Sequence, residues 1–353
     1  MLEPGDLAPW FTAQELDGRP NWVFNSAGGV PSLLFFMGSA SQPAVAEALA
    51  QIVQHVDFFH DARALFFGIT ADPADAGEGR IRAQYPAQRY FLDYSLAIAR
   101  QYGAADAEGM YRPHLIVLDR ALRVAGRFAI GDVGAAIALT VELTKAPGQD
   151  WAPIVTVPHV FEPGLCRALI DHYDRVGGTE SGFMREVAGK TTEILDPAFK
   201  RRRDAQIEDQ TLRTAIIARV KRKLVPAVHR TFQFNATRIE RYIVAAYDAG
   251  AGHFSAHRDN TTKGTAHRRF AVTINLNSDY EGGDLRFPEF GQRSYRAPPG
   301  GAVVFSCSLL HEATPVTAGR RYACLPFLYD DEAAAIREAN NEYLADGMGH
   351  YRG

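Results

Sequence analysis

The sequence predicts two successive domains, an α/β domain followed by a mainly β domain. The first half holds short, continuous apolar runs separated by a helical pattern, whereas the second half holds a strictly alternating apolar and polar run among clusters of glycine and proline. Residues 144–153, which contain two prolines and one glycine, interrupt both patterns and are typical of a linker. A length of 353 residues is also about right for two domains of ordinary size.

Three apolar runs in the first half predict strands that are buried on both faces. Residues 33–36, 65–69 and 115–118 are each too short for a helix and are apolar without interruption. Between the first two runs, apolar residues from Val45 to Val56 recur at every third or fourth position, which predicts an amphipathic helix. Because strand, helix and strand in this order form a βαβ unit, residues 1–143 are predicted to be an α/β domain.

After a linker at residues 144–154, the second domain is predicted to begin with helices. Pro163 suits the first turn of a helix with one apolar stripe. A second helix is expected from about Gln210, with Pro226 kinking its end. The second domain is predicted to cover residues 155–353.

Strand patterns dominate the sequence from Ile239 onward. In residues 270–277 apolar and polar side chains alternate strictly, so that Thr273 and Asn275 share the face opposite the apolar one. Several pairs of glycine or proline follow at close intervals, which favours short antiparallel strands in a sandwich or barrel.

The composition excludes several classes of protein. Hydrophobic residues make up 46% and charged residues 22% of the chain, which is ordinary for a globular protein. Because 38 basic residues face 41 acidic ones, no general attraction to nucleic acid or to an anionic membrane is expected. No apolar run is long enough to span a bilayer, the first residues lack the basic segment of a secretory signal, and 3 cysteines are too few for a disulfide framework. We therefore expect a soluble, cytoplasmic protein with no nucleic-acid or membrane partner.

Two histidines and one aspartate of the second domain form a pattern typical of a metal site. On a strand, His257 and Asp259 point to the same face, so the imidazole and the carboxylate can converge on one ion. His311 comes about fifty residues later, after the predicted strand at 302–305, and two arginines follow about ten residues beyond it. Such a ligand set leaves the opposite positions of the metal open for a bidentate cosubstrate and O2. Taken alone, His257 and Asp259 are better explained as a solvated pair at a strand end, but the combination favours a metal.

The motifs around these residues resemble one family of enzymes. Segments 247–260 and 311–323 follow its pattern closely, and on them residues from about 155 to 330 resemble the prolyl 4-hydroxylase branch of the 2-oxoglutarate and iron(II)-dependent dioxygenases. The resemblance implies a double-stranded β-helix, or jelly roll, with supporting helices. It also implies that the ferrous ion is held, and catalysis carried, by His257, Asp259 and His311.

The same resemblance assigns the cosubstrate-binding residues. Arg321, rather than Arg320, is expected to pair with the C5 carboxylate of 2-oxoglutarate, and Tyr247 to help bind it. A guanidinium suits this role because it offers two parallel N–H donors and keeps its charge. Strand alternation points Arg320 the other way, as a surface charge. Asn275 matches a pocket-lining position, but it is equally well explained as a satisfied polar group at a strand end.

The resemblance implies Fe(II), the cosubstrates 2-oxoglutarate and O2, and ascorbate as the reductant. Asp259 stands where related halogenases carry a small residue, so hydroxylation of an unactivated C–H bond is favoured, with release of succinate and CO2. The substrate is expected to be a small molecule or a peptide, either a prolyl residue or another amino acid. The alternative is a non-catalytic module that senses 2-oxoglutarate or binds a partner, with the first domain as a docking domain.

The first domain resembles the peroxiredoxins, which have the thioredoxin fold. The resemblance is carried by residues 4–11, 17–18, 67–72, 91–93, 102–103 and 115–119. The reactive cysteine of that family is expected around Ala44, but no cysteine precedes Cys166, so the domain is not a peroxidase. It could bind a partner or substrate, dock against the oxygenase or mediate dimerisation, and a scaffold without any ligand is at least as good an explanation.

A run of four basic residues at 200–203 is the strongest cluster of like charge. Acidic residues lie close to it in the sequence, so a solvated loop is favoured over a binding patch. Cys307 and Cys324 fall in predicted strands and are expected to be buried thiols of the core.

Overall fold

The computed structural model of the protein describes residues 2–17, 22–85, 88–145 and 150–351. The chain forms two units, the first made of Met1–Asp150 with Pro288–Gln292 and the second of Trp151–Phe287 with Arg293–Gly353. Residues 146–149 of the predicted linker, and Gly18 of the peroxiredoxin-like motifs, lie outside the described residues. The predicted domain boundaries at residues 143 and 155 therefore stay predictions.

Seven strands form one sheet in the first unit. They are β1 (Thr12–Glu15), β2 (Trp22–Val23), β3 (Ser32–Gly38), β4 (Leu65–Thr70), β5 (Gln88–Leu92), β6 (His114–Leu118) and β7 (Val124–Ala129). Their order in the sheet is β2-β1-β5-β4-β3-β6-β7. Strands β3, β4 and β5 are parallel neighbours, and the remaining neighbours are antiparallel. The three apolar runs predicted as strands lie in β3, β4 and β6, at the centre of the sheet.

Both faces of this sheet are covered, which explains why its central strands are apolar without interruption. The helices are α1 (Pro43–Val53), α2 (Pro73–Gly77), α3 (Ala97–Gln101) and α4 (Val133–Lys145). Leu33 and Phe35 pack with residues of α1 and α4, whereas Leu34 and Phe36 pack on the other face with residues of α3. The predicted α/β domain with a thioredoxin-like fold is confirmed.

Four helices support the second unit, namely α5 (Pro163–Val176), α6 (Gln210–Arg219), α7 (Val225–Phe232) and α8 (Asp331–Ala339). The sequence predicted that Pro226 would kink the end of the second helix, but the helical path continues past it to Phe232. A wide turn of π geometry at Val220–Leu224 precedes the proline and accommodates the hydrogen bond that proline cannot donate. Nowhere in the described part of the chain is a helix long and apolar enough to cross a membrane.

The strands of the second unit are β8 (Ile154–Val157), β9 (Thr179–Glu180), β10 (Phe183–Val187), β11 (Lys190–Ile194), β12 (Lys200–Arg201), β13 (Arg203–Gln206), β14 (Arg238–Glu240), β15 (Ile243–Asp248), β16 (His253–His257), β17 (Phe270–Asn275), β18 (Tyr280–Gly282), β19 (Leu285–Arg286), β20 (Ser294–Tyr295), β21 (Ala302–Ser306), β22 (His311–Ala313), β23 (Val316–Cys324) and β24 (Phe327–Tyr329). The larger sheet has the order β14-β24-β17-β23-β15-β13-β9, with β21 and then β8 added beside β17. The smaller sheet has the order β12-β16-β22-β19-β20, and β10 and β11 form a separate hairpin.

The pairs of strands in both sheets are antiparallel, and side chains from the two sheets line one common pocket, as in a jelly roll. Strand β17 shows how the sequence pattern produces this arrangement. Its apolar residues Phe270, Val272 and Ile274 pack with the helices in the core of the unit, whereas Thr273 on the other face lines the pocket. The predicted jelly roll with supporting helices is confirmed.

Candidate active site

The structure brings His257, Asp259 and His311 together at the ends of two neighbouring strands. His257 is the last residue of β16 and His311 the first of β22, and the antiparallel register places these two residues directly opposite each other. Asp259 lies just beyond β16, where its backbone N–H donates a hydrogen bond to the Cys307 carbonyl at 3.0 Å. Pairing between distant segments of the chain therefore assembles the three side chains.

The three side chains are close enough to bind one ion. His257 Nε2 lies 3.6 Å from Asp259 Oδ1, and His311 Nε2 lies 3.3 Å from Asp259 Oδ2. One ligand atom from each residue lies within 4.8 Å of the other two. Since a metal–nitrogen bond of about 2.1 Å places neighbouring ligand atoms about 3 Å apart, the donor set fits a single metal ion after a small contraction.

Backbone carbonyls orient both imidazoles for metal binding. His257 Nδ1 lies 2.7 Å from the Ser255 carbonyl, and His311 Nδ1 lies 3.0 Å from the Leu309 carbonyl. Each of these hydrogen bonds requires that Nδ1 carries the proton, which leaves the lone pair on Nε2. The two Nε2 atoms face Asp259, so both histidines have the tautomer that a metal ligand needs.

The surroundings set the protonation states of these groups. Phe254 stacks on His257 with the ring centres 3.5 Å apart, and the Phe305 ring lies 4.6 Å from His311. Burial, with a smaller contribution from His311, lowers the pKa of His257 to about 4, so its imidazole is neutral at pH 7. Burial acts to raise the pKa of Asp259, but His311 and His257 outweigh it and hold that pKa well below its ordinary value. Neutral imidazoles and an ionised carboxylate are the forms that bind a metal.

Arg321 lies on β23, directly opposite Tyr247 of β15. Its side chain is 4% exposed, and its guanidinium lies 5.2 Å from the centre of the Tyr247 ring. Nη2 donates to Thr273 Oγ1 at 2.8 Å, and Nε and Nη2 both donate to Asn275 Oδ1, at 3.3 and 3.2 Å. These contacts fix the orientation of a buried cation.

Asn275 positions Arg321. Besides accepting from the guanidinium, the Asn275 amide donates to the Ala297 carbonyl at 2.7 Å, which fixes the orientation of the side chain. The sequence left open whether Asn275 lines the pocket or is only a satisfied polar group. The structure shows that its side chain is buried with its hydrogen bonds satisfied, and that it also holds Arg321.

Arg320 points to the other side of the strand, as alternation predicts. Its side chain is 47% exposed and pairs with Asp248. Side-chain direction therefore separates the roles of the two adjacent arginines.

A pocket of about 500 Å³, part of it open to solvent, connects Arg321 with the three candidate metal ligands. Its lining includes the following residues: Arg202, Arg241, Tyr247, Phe254, His257, Asp259, Thr273, Leu285, Phe305, His311, Ala313, Arg321, Leu325 and Phe327. A concave pocket that is mostly apolar, with a few convergent polar groups, suits a small ligand.

Two further arginines of the pocket were not recognised in the sequence. The expectation of a solvated loop at residues 200–203 is wrong for Lys200 and Arg202, each of which is 6% exposed. Lys200 is in β12 and Arg202 lies between β12 and β13, and burial alternates along the run, so an alternation test would have indicated both residues. Arg241 lies just before β15 with a left-handed backbone (φ 69°), so alternation along that strand does not predict its direction, and nothing in the local sequence distinguishes it from a surface arginine.

The thiols of the chain have no reactive environment. Cys166, Cys307 and Cys324 are all free and buried. Burial raises the pKa of each thiol, that of Cys324 to about 12. Peroxide reduction needs a thiolate of low pKa, and none of these three thiols has one.

Comparison with known proteins identifies two families in the chain. Residues 242–329 match the 2OG-Fe(II) oxygenase superfamily, and residues 4–126 match the AhpC/TSA family. The first range contains every candidate site residue predicted from the sequence. The two matches confirm the predicted 2-oxoglutarate and iron(II)-dependent oxygenase domain and the peroxiredoxin-like domain, and the oxygenase family implies Fe(II), 2-oxoglutarate and O2.

Individual relatives are distant. A PKHD-type hydroxylase of Azoarcus sp. (strain BH72) is 28% identical over 141 residues, which cover 36% of this chain and 60% of that protein. A Pseudomonas putida prolyl-4-hydroxylase structure is 19% identical with a TM-score of 0.40, covering 50% of this chain and 92% of that one. For peroxidoxin BcpB from Mycobacterium tuberculosis the identity is 20% and the TM-score 0.35, with 41% and 97% covered. The chain spans about half the length of the curated relatives it matches.

Proposed function

We propose that the second unit is an Fe(II)- and 2-oxoglutarate-dependent dioxygenase that hydroxylates an unactivated C–H bond. One observation carries this proposal, namely that two Nε2 atoms and one carboxylate converge in the same pocket as a buried, fixed guanidinium. The family match over residues 242–329 supports it. When bound, the ferrous ion, 2-oxoglutarate and O2 together supply the oxidation that places one oxygen atom in the C–H bond and releases succinate and CO2.

The residues of the chain supply binding and orientation. His257, Asp259 and His311 would hold the metal, with their Nδ1–H bonds to carbonyls keeping the imidazoles in place. Arg321 would bind the C5 carboxylate of 2-oxoglutarate with two parallel N–H bonds, and Tyr247 would border the same carboxylate. The rings of Phe254 and Phe305 pack against the imidazoles of His257 and His311 and shield one side of each from solvent.

The substrate proposal follows the resemblance seen in the sequence. A prolyl residue or another amino acid is proposed as the substrate, with ascorbate as the reductant. The curated relatives are named PKHD-type hydroxylases, which supports hydroxylation as the reaction class. The first unit, which lacks a reactive thiol, is proposed to bind a partner or mediate dimerisation. A cytoplasmic location stays a prediction from the composition.

Turnover of 2-oxoglutarate in the absence of substrate tests this function. The purified full chain with Fe(II) and ascorbate should convert 2-oxoglutarate to succinate, and a chelator should stop the reaction. Asp259→Ala should lose both metal binding and succinate formation while keeping the circular dichroism spectrum of the wild type, because the carboxylate lies at a strand end and not in the apolar core.

Equal succinate formation by Asp259→Ala and the wild type would refute the assigned metal centre. Binding of 2-oxoglutarate without any succinate, even with cell extract added as a source of substrate, would instead favour the non-catalytic sensing module. Mass spectrometry of the same extract for products heavier by one oxygen atom identifies the substrate.

A further inference from the structure

The pocket holds three guanidiniums, and two of them already have a counter-charge or an assigned ligand. Arg321 is assigned to 2-oxoglutarate under the function proposed above. Arg202 forms a double hydrogen bond with Asp204, from Nε to Oδ1 at 2.7 Å and from Nη2 to Oδ2 at 2.6 Å. Its charge is therefore neutralised within the protein. Arg241 is the third guanidinium, and its hydrogen-bond acceptor is an uncharged carbonyl and not a carboxylate.

No carboxylate in the described part of the chain lies within 4.0 Å of the Arg241 guanidinium. Its Nε and Nη2 atoms donate to a neutral acceptor, the Leu325 carbonyl, at 3.0 and 2.8 Å. The guanidinium also lies 4.4 Å from the centre of the Phe327 ring. These contacts fix the direction of the side chain but do not compensate its charge, and they leave Nη1 for another acceptor.

Arg241 lies in the short connection between β14 and β15 and lines the pocket. Its backbone is left-handed, with φ of 69°, so the turn before β15, and not alternation along the strand, sets the direction of its side chain. Arg241 binds the Leu325 carbonyl, whereas Tyr247 is the residue opposite Arg321. The two cations therefore have different partners in the wall of the same pocket.

The charge of Arg241 persists at neutral pH although its surroundings oppose it. Burial and the neighbouring charges of Arg202 and Arg268 lower the pKa of Arg241 to about 10, although the more distant carboxylates of Asp204 and Asp259 act to raise it. Arg268 has its own partner, Glu240, at 2.7 Å. A half-buried cation with no carboxylate in direct contact is costly, so the position of Arg241 at a pocket wall favours an anionic ligand that enters from outside.

The charge balance of the loaded site leads to the same conclusion. The ferrous ion brings two positive charges and Asp259 one negative charge, while Arg321 and Arg241 bring one positive charge each. The dianion of 2-oxoglutarate contributes two negative charges, and the Arg202–Asp204 pair is neutral. One positive charge then remains, and a substrate carboxylate placed against Arg241 would neutralise it locally. If the substrate is a free amino acid, its ammonium group would have to lie away from Arg241.

We propose that the substrate of this dioxygenase carries a carboxylate and that Arg241 binds that carboxylate. The inference rests on the function proposed above and narrows it. The substrate class is a small organic acid, such as a free amino acid, and not a prolyl residue in the interior of a peptide. Arg241 presents Nη1 beside an Nη2 that is already oriented, which suits an oxygen of a planar carboxylate.

Binding to an inert complex tests this inference without relying on turnover. The full chain would be loaded with manganese and N-oxalylglycine, a non-reactive analogue of 2-oxoglutarate, and titrated by calorimetry with matched pairs of ligands. Each pair consists of a free amino acid, proline first, and its carboxamide. A second set consists of short peptides ending in proline, with free or amidated C-termini, and peptides with proline only in the interior.

We expect at least one free acid to bind tenfold or more tightly than its amide. Arg241→Gln should abolish the preference for the acid, and Arg241→Lys should retain part of it. Both variants should still bind manganese and N-oxalylglycine, which would show that their pockets are folded. Arg201→Gln removes an exposed charge next to the pocket arginine Arg202 and should leave the preference unchanged. If only the peptides show a preference for the free acid over the amide, the recognised carboxylate is the C-terminus of a peptide. That result would still support binding of a substrate carboxylate by Arg241.

Three results would overturn the inference: acids and amides that bind equally, a preference that survives Arg241→Gln, or binding confined to interior proline peptides. A panel in which no acid binds would count against it as well. Failure of the wild type to bind manganese or N-oxalylglycine is a different result. It would overturn the proposed function itself, and the inference about the substrate with it.

Discussion

Replacing Arg321 by glutamine should raise the concentration of 2-oxoglutarate that the protein requires by a large factor. The guanidinium is 4% exposed and is held by Thr273 and Asn275, so it cannot be replaced by water or by another side chain without rearrangement. Removing one partner of a buried, hydrogen-bonded charge pair costs about 2–5 kcal/mol. Since each 1.4 kcal/mol corresponds to a factor of ten, the requirement should rise roughly 30-fold to several thousand-fold.

Two measurements check this prediction. Succinate formation as a function of 2-oxoglutarate concentration gives the apparent requirement, and binding of 2-oxoglutarate to the manganese-loaded protein without O2 gives the affinity alone. Arg321→Lys keeps the charge but loses the parallel pair of donors, so its requirement should lie between those of the wild type and Arg321→Gln.

Arg320→Gln is the matched control, because it removes the same kind of charge from the adjacent residue. Arg320 is largely exposed and pairs with Asp248 at the surface, and such pairs contribute about 0.2–1 kcal/mol. Its effect on the requirement should therefore stay below about fivefold. A larger effect in Arg320→Gln than in Arg321→Gln would refute the assignment, and an unchanged requirement in Arg321→Gln would show that the carboxylate binds elsewhere.

Asn275→Ala removes the oxygen that accepts hydrogen bonds from Nε and Nη2 of Arg321. The concentration of 2-oxoglutarate that the protein requires should therefore rise by about tenfold, less than in Arg321→Gln. The affinity for manganese should stay unchanged. An equal loss of manganese affinity would show a general role in folding and contradict a role in positioning. In the first unit, burial lowers the pKa of His114 from 6.5 to about 4, so on acidification the unfolded chain takes up this proton before the folded chain does. The free energy of unfolding should therefore fall by about 3 kcal/mol between pH 6.5 and 4 because of this residue. Thermal unfolding measured across this pH range should show a flatter dependence in His114→Phe than in the wild type. An equal slope in the two proteins would contradict this role of His114.

Local patterns in the sequence predicted those features that depend on neighbouring residues. Unbroken apolar runs indicated strands covered on both faces, and β3 is indeed buried along its whole length. Strict alternation in residues 270–277 separated the core face from the face that carries Thr273 and Asn275. These predictions succeed because a strand places every second side chain on the same face, whatever the rest of the chain does.

The sequence by itself also determined the candidate metal centre, because His257, Asp259 and His311 lie in motifs whose residue types and spacing restrict the chemistry. Only the tertiary structure decided which other charges share their pocket. The alternation of side chains along a strand predicts on which face of the sheet a residue lies. It does not predict whether that face packs against a second sheet or contacts solvent. Arg202 lies between β12 and β13 and Arg241 lies just before β15, and both line the same pocket because the larger and smaller sheets close around it. The electrostatics of the pocket depend on distances between groups far apart in the chain, and pairing between strands sets those distances.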